Sequence, residues 1–268
     1  MKKLLLAAIM GALAVIYGCG SDGGGGGGSS SLSKSDITGQ VADGYLSGAQ
    51  VFLDKNLNYI CDSGEPVTTT DSQGRYTLTV DPNDIGKYPV VAVAIAGQTI
   101  DLDNPTQKIA ESYVLCIDKT ALSGTVSNFI SPVSTQIREM METGKYATAQ
   151  DAAAALRTEL GLPLSTNMMA DYIAGSNSAM HTAARNMASL MASQSASVMP
   201  GNRVDVNRYR GMMASVFCNL STVRTSSTTQ SSSMASARNR VSSAVSAASS
   251  APGAFMNFSA SYRFRGGR

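Results

Sequence analysis

The twelve residues from Asp54 to Glu65 hold the densest set of groups that could do chemistry. Asp54, Asn56, Asn58, Asp62 and Glu65 occupy loop positions 1, 3, 5, 9 and 12, and Ile60 at position 7 offers a backbone carbonyl. At that spacing one short loop can wrap a hard cation, with its last carboxylate bidentate. Calcium in a structural role is the ion this donor set predicts. Position 6, where such loops carry Gly for a sharp turn, is Tyr59, and a bulky residue resists positive φ. The same residues also make a plain Asp/Asn-rich turn between two strands, which needs no metal.

Other candidate groups are sparse. His181 is the only histidine. It follows Met180 on an Ala-rich helical pattern, where a partly exposed structural role is expected, and no Gly-x-Ser-x-Gly elbow accompanies it. Asp101 and Asp103 would share one face of a strand. They read first as a strand end entering the Asn104-Pro105 turn, and second as a further cation site or half of a paired-carboxylate centre. The 14 methionines fall largely on helical stripes and read as core filling. Three thiols remain once Cys19 is set aside. Cys61 and Cys116, both in β-patterned sequence, could bridge, whereas Cys218 lies in an apolar helical stripe and reads as a buried thiol. The absence of Cys-x-x-Cys excludes a haem attachment, and without a Cys/His cluster a zinc finger is excluded too.

Lys2 and Lys3 followed by an apolar run over residues 4–17 form an export signal, well short of the roughly 20 residues a spanning helix needs. The run ends in Ile16-Tyr17-Gly18-Cys19, which resembles a bacterial lipobox. The resemblance implies a lipid-anchored envelope protein acylated at Cys19. Gly20 lacks the Asp that retains such proteins at the inner membrane, which tilts the address toward the outer membrane without deciding between periplasmic and surface faces. Residues 23–28 are all glycine, and the linker around them has neither the Lys-Ser/Thr nor the preceding strand of a phosphate loop. A net charge of +2 and the lack of an internal basic run exclude nucleic acid as an expected partner.

The elements that must position these groups follow in order. Short alternating or β-branched runs at 37–42, 49–53, 66–70, 75–80, 89–95, 98–102 and 112–117, with turn residues between them, predict about seven strands and a β-sandwich. From residue 128 the period becomes helical. Ser131-Pro132 starts a helix ending near Gly144, Thr148 caps a second over 149–160, Ser176 begins a third, and residues 205–225 make a fourth. Residues 226–252, rich in Ser, Thr and Ala, predict a marginal helix or disorder, and 256–264 alternate like a terminal strand.

Gly39-x-Val41-x-Asp43-Gly44-Tyr45-x-x-Gly48-Ala49-x-Val51 and Thr70-Asp71-Ser72-Gln73-Gly74-Arg75-Tyr76 resemble the carboxypeptidase-regulatory, prealbumin-like or Cna-B-like sandwiches. The acidic loop with Gly64-Glu65-Pro66 is similar to calcium-binding Sdr B-type repeats. The block from Phe129 to Thr135, with Leu160-Gly161-Leu162-Pro163, resembles the helical segment that follows such sandwiches in bacterial lipoproteins. These resemblances imply a stalk, spacer or accessory module and no activity.

The expected organisation is a signal peptide at 1–18, anchor and linker at 19–35, and a sandwich at 36–118. A separate, mostly α-helical domain at 128–225 and a low-complexity tail at 226–268 follow. The expected function is that of a non-enzymatic, lipid-anchored binding or spacer module whose partners are the membrane and an envelope protein or polysaccharide. The competing expectation is an envelope hydrolase or a peptide- or glycan-binding protein, with converging polar groups at the junction of sandwich and helices near His181, Asp101 and Asp103.

Overall fold

The computed structural model describes residues 34–122 and 128–250. Cys19 and the alternating 256–264 segment lie outside them. The strands are β1 (Ser35–Val41), β2 (Leu46–Ser47), β3 (Gln50–Leu53), β4 (Val67–Thr69), β5 (Arg75–Val80), β6 (Val90–Ala94), β7 (Ile100–Asp101), β8 (Tyr113–Ile117) and β9 (Asn128–Ile130). The helices are α1 (Pro132–Glu142), α2 (Ala149–Glu159), α3 (Ser178–Ala192), α4 (Ser195–Val198), α5 (Val206–Cys218), α6 (Leu220–Thr225) and α7 (Ser232–Ser250). The fold is mixed, with three sheets ordered β5-β1-β9, β2-β7 and β4-β3-β6-β8.

Burial follows the sequence periods. In β5 the buried residues are Tyr76, Leu78 and Val80, alternating with exposed ones, whereas every residue of β8 is buried. β1 runs antiparallel to β5 and parallel to β9. A Cβ on Gly39 would meet the Asn128 carbonyl oxygen at 2.0 Å, so glycine is what lets β9 pair there. The two strands not expected from the sequence, β2 and β9, are two and three residues long, too short to carry a periodic signal.

α1 starts where Ser131-Pro132 places it. Ser131 Oγ accepts from Ser134 N at 3.2 Å, and Ser134 Oγ accepts from Ser131 N at 2.9 Å. The same turn is tied to β8: Thr135 Oγ1 accepts from Cys116 N at 2.9 Å, and Ser134 Oγ donates to the Cys116 carbonyl at 2.8 Å. α3 buries Met180, Ala184, Met187 and Met191, the stripe read from their spacing.

Sheets and helices share one continuous core from Ile37 to Val245. Tyrosines stitch the two layers, with Tyr172 Oη donating to the Ala42 carbonyl at 3.1 Å and Tyr209 Oη to the Val114 carbonyl at 3.3 Å. The sequence sets a boundary between 118 and 128, but packing across it is unbroken.

Two helical expectations change. The helix expected over 205–225 is two, α5 and α6, broken at Asn219. Residues 232–250, expected to be marginal or disordered, form α7, because Met234, Ala237, Val241, Val245 and Ala248 recur at helical spacing and are buried. Alanines complete a stripe that its three larger residues only suggest. Among the described residues, no helix is long and apolar enough to cross a membrane.

Candidate functional site

β3 leads directly into the oxygen-rich loop, and its first donor is held in the core. Asp54 is fully buried. Its Oδ1 accepts from Asn58 N and its Oδ2 from Tyr59 N, both at 3.1 Å. Burial pushes this carboxyl above the usual range, and the two backbone donors oppose that shift. Glu65 closes the loop from the other end: Oε1 accepts from Lys55 N at 2.7 Å, and Oε2 from Asp62 N at 3.0 Å. Asp62 Oδ2 accepts from the side-chain amides of Asn56 and Asn58, both at 2.7 Å, and these bonds lower its pKa.

Tyr59 settles how the loop turns. Its φ is 61° and that of Leu57 is 63°, both left-handed. Position 6 therefore makes the turn a glycine would make, without a glycine. The ring explains how this is tolerated: it is fully buried, 4.5 Å from the Tyr209 ring between centroids. Tyr59 Oη donates to Glu139 Oε1 at 2.6 Å. Arg138 Nη1 donates to Tyr59 Oη and, at 2.8 Å, to Glu139 Oε1. Arg138 also lies over the tyrosine ring, 4.6 Å from its centroid. Packing and three mutual bonds overdetermine a conformation that would cost about 1–3 kcal/mol alone.

As a cation site the loop fits in donor chemistry and in the direction of its turn. Asp54, Asp62 and Glu65 supply carboxylates, Asn56 and Asn58 carry amide oxygens, and Ile60 has its carbonyl. The present bonding serves the loop itself, since both amides turn their nitrogens toward Asp62 and Asn58 Oδ1 accepts from Ile60 N at 2.8 Å. Among the described residues, no three His, Cys, Asp or Glu side chains are grouped closely enough to hold a metal. A cation here would draw on amide and backbone oxygens after both amides rotate.

The possible Cys61–Cys116 bridge is absent, and both thiols are free. Cys116 faces inward from β8 against Arg138, whose Nη1 is 3.9 Å from its sulfur, and burial pushes its pKa to about 12. Cys61 sits partly buried at the loop rim. The Tyr59–Arg138 cluster fills the interior on the Cys116 side. Cys218 differs too: it is exposed, because the inward face of α5 is taken by Tyr209, Met212, Met213, Val216 and Phe217.

A second cluster forms where β2 and β7 meet α3. Gly44 makes it possible, since a Cβ there would come within 2.2 Å of Asp101 Oδ1. β7 ends at Asp101, whose Oδ1 accepts from Asp103 N at 2.9 Å, turning the chain so that Asp103 faces α3. His181 and Arg185, one helical turn apart, meet it there. His181 Nε2 lies 2.9 Å and Arg185 Nε 3.2 Å from Asp103 Oδ2, although the histidine N–H is not aligned for a hydrogen bond. The His181 ring stacks on Tyr172 at 5.7 Å. Asp103, with Asp101 two residues before it, is therefore brought to His181 from a distant part of the sequence.

Asp43, which the sequence presents as half of an Asp43-Gly44 turn signal, completes the cluster. Its residue is 7% exposed. Oδ2 accepts from Tyr113 Oη at 3.0 Å, while Oδ1 is buried with no hydrogen-bond partner. Burial first, then the Asp101 charge, raise its pKa to about 8, against the Tyr113 bond. Asp101 is raised as well, mainly by burial. Asp43, Asp101, Glu111, Tyr113 and Arg185 line an open cleft of about 320 Å³. A larger cavity of about 530 Å³ beside α2 is lined by Thr120, Ala149, Ala153 and Met168, with Arg157 as its one charged side chain, so it lacks groups that could act together.

No protein-family model, curated protein or solved structure matches the chain.

Proposed function

We propose that the chain is a lipid-anchored cell-envelope protein, acylated at Cys19, that works as a binding or spacer module. In this reading residues 36–118 form a β-sandwich of the Cna-B-like kind, with helices 128–225 packed against it as an interaction element. Support for the sandwich comes from the inward faces of the three- and four-stranded sheets, which contribute to one core. The sequence over residues 1–19 supports the anchor. Cys19→Ala is expected to move the protein from the membrane fraction to the soluble fraction on cell fractionation. An unchanged distribution counts against lipidation.

Calcium is assigned to the Asp54–Glu65 loop as a structural ion. The observation that carries this is the backbone of Tyr59, which takes the left-handed turn at position 6 with φ of 61°. Bound cation would offset repulsion among Asp54, Asp62 and Glu65 and fix the loop against α1 through Tyr59. With a dissociation constant near 10⁻⁴ M and about 1 mM calcium, linkage stabilises the fold by about 1.4 kcal/mol, or about 3–6 °C in midpoint. A melt with calcium against one with chelator should show that shift, and Asp62→Ala should abolish it. Identical midpoints with and without calcium defeat the assignment.

The convergence of Asp101, Asp103 and His181 favours a second reading, a peptide- or glycan-binding or hydrolytic protein with its site in the junction cleft. Hydrolysis would require product release that Asp101→Asn removes. Binding without turnover leaves the protein a recognition module.

A further inference from the structure

The cleft at the junction of β7, β8 and α3 has one property that the fold does not use. Asp43 Oδ1 is buried and unpartnered, and Asp43 is among the residues that line an open cavity. A buried carboxyl oxygen without a partner is costly, because it has lost water and gained nothing. Its neighbours do not relieve it. Tyr113 serves the other oxygen, Asp101 adds negative charge, and Glu111 stands on the same wall. Arg185, the cation that lines the cleft, has its Nε against Asp103.

The complement of this wall is a positive group with N–H donors. A divalent metal is poorly matched, since the acids do not form a three-ligand group. Anions meet three carboxylates. A neutral hydroxyl could satisfy one lone pair but brings no charge to offset the negative field of Asp101 and Glu111. A primary ammonium carries three donors and a unit charge on a head small enough for the cavity, and its alkyl stem would run past Ala188 and Ala192 of α3 toward solvent.

We propose that this cleft binds the primary ammonium group of an organic amine, with Asp43 Oδ1 accepting the buried N–H and Asp101 and Glu111 supplying the surrounding negative field. The inference deepens the reading of the junction as a recognition site and is independent of the calcium loop. Binding should strengthen with pH. The groups facing Asp43 are Asp101 on β7, Asp103 and Glu111 on the following loop, Tyr113 on β8, Tyr172, and His181 and Arg185 on α3. Burial and the Asp101 charge keep a proton on Asp43 in the free protein, and the ammonium must displace it. An alkylammonium itself stays charged up to about pH 10.

Titration calorimetry of the full-length protein with cadaverine and with Nα-acetyl-lysine methylamide tests this. Affinity should rise about tenfold or more between about pH 6 and about pH 9, and Asp43→Asn should lower it by at least about tenfold at the higher pH. Arg185→Ala removes a rim cation and should tighten binding a few-fold, a change that loss of folding could not produce. Tighter binding of cadaverine indicates a free amine as the natural ligand, and tighter binding of the lysine derivative indicates a lysine side chain. Either result supports the ammonium site. No binding of either amine at about 10 mM, undiminished binding by Asp43→Asn, or unchanged binding by Arg185→Ala overturns it. The Asp62→Ala variant should keep amine binding while losing its calcium response, so failure at one site is separable from failure at the other. Hydrolytic turnover without amine binding would keep the junction as a site and reject only this ligand class.

Discussion

Asp43→Asn should flatten the stability of this protein between about pH 4 and about pH 8. The Asp43 carboxyl has its pKa raised from 3.8 to about 8 in the folded chain, through burial and the neighbouring Asp101 charge. In that window the folded state holds a proton that the unfolded state has released. Stability then falls as pH rises: the contribution is fully present below the unfolded pKa and lost above the folded one. Each pH unit is worth up to about 1.4 kcal/mol, so the fall across the window amounts to a few kcal/mol, shared with Asp101. Asparagine carries no charge and can still accept from Tyr113. The variant should therefore be more stable than the parent at about pH 8 by roughly 2–4 kcal/mol and near parity at about pH 4. Urea midpoints across the range would show it. Parallel pH profiles for the two proteins would mean that Asp43 titrates normally.

Tyr59→Ala should be among the most damaging single changes in the chain, costing about 3–5 kcal/mol for the lost ring alone. It also strips Glu139 and Arg138 of a shared partner. Arg138 is 1% and Glu139 3% exposed, so their charges depend on each other and on Tyr59 Oη. Against a typical total stability of about 5–15 kcal/mol, such a loss takes the protein close to unfolding. Tyr59→Phe keeps the ring and removes only the hydroxyl, for about 1–2 kcal/mol, and should retain whatever calcium response the parent has. Guanidinium unfolding of both variants separates packing from hydrogen bonding. A cost under about 1 kcal/mol for Tyr59→Ala would show that the loop is not anchored through this ring.

These two residues also mark where sequence reading stops. Tyr59 departs from the glycine expected at position 6, and from sequence alone that departure counts against the loop. Its real role depends on Arg138, Glu139 and Tyr209, which are 79, 80 and 150 positions away, and no local pattern reports such partners. Asp43 reads as a turn residue because Asp-Gly turns are common and exposed. Its burial follows from Tyr113 and α3 closing over it. Arg138 and Glu139 were equally hidden, lying on a helix whose visible apolar residues are Val133, Ile137, Met140 and Met141. A charged pair beside that stripe was the available signal, but pairing inside a core looks the same in sequence as pairing at a surface.

Local physics was legible where side chains act on their own backbone or alternate along one element. Ser131-Pro132 starts α1 because a hydroxyl and a fixed φ need no distant partner. Tyr76, Leu78 and Val80 face one way because a strand repeats every two residues, and the methionines of α3 line up because a helix repeats every 3.6. The oxygen spacing of the loop is likewise local, and so is the lipobox resemblance around Cys19. Tertiary structure alone decided the rest. It made one core of the sheet and helix layers, turned α7 from a marginal helix into a buried one, and kept Cys61 from Cys116. It also drew Asp43, Asp101 and Arg185 into a single cleft and set Asp103 against His181 beside it. Such outcomes depend on which surfaces exclude water together, and that is a property of the packed chain rather than of any stretch of it.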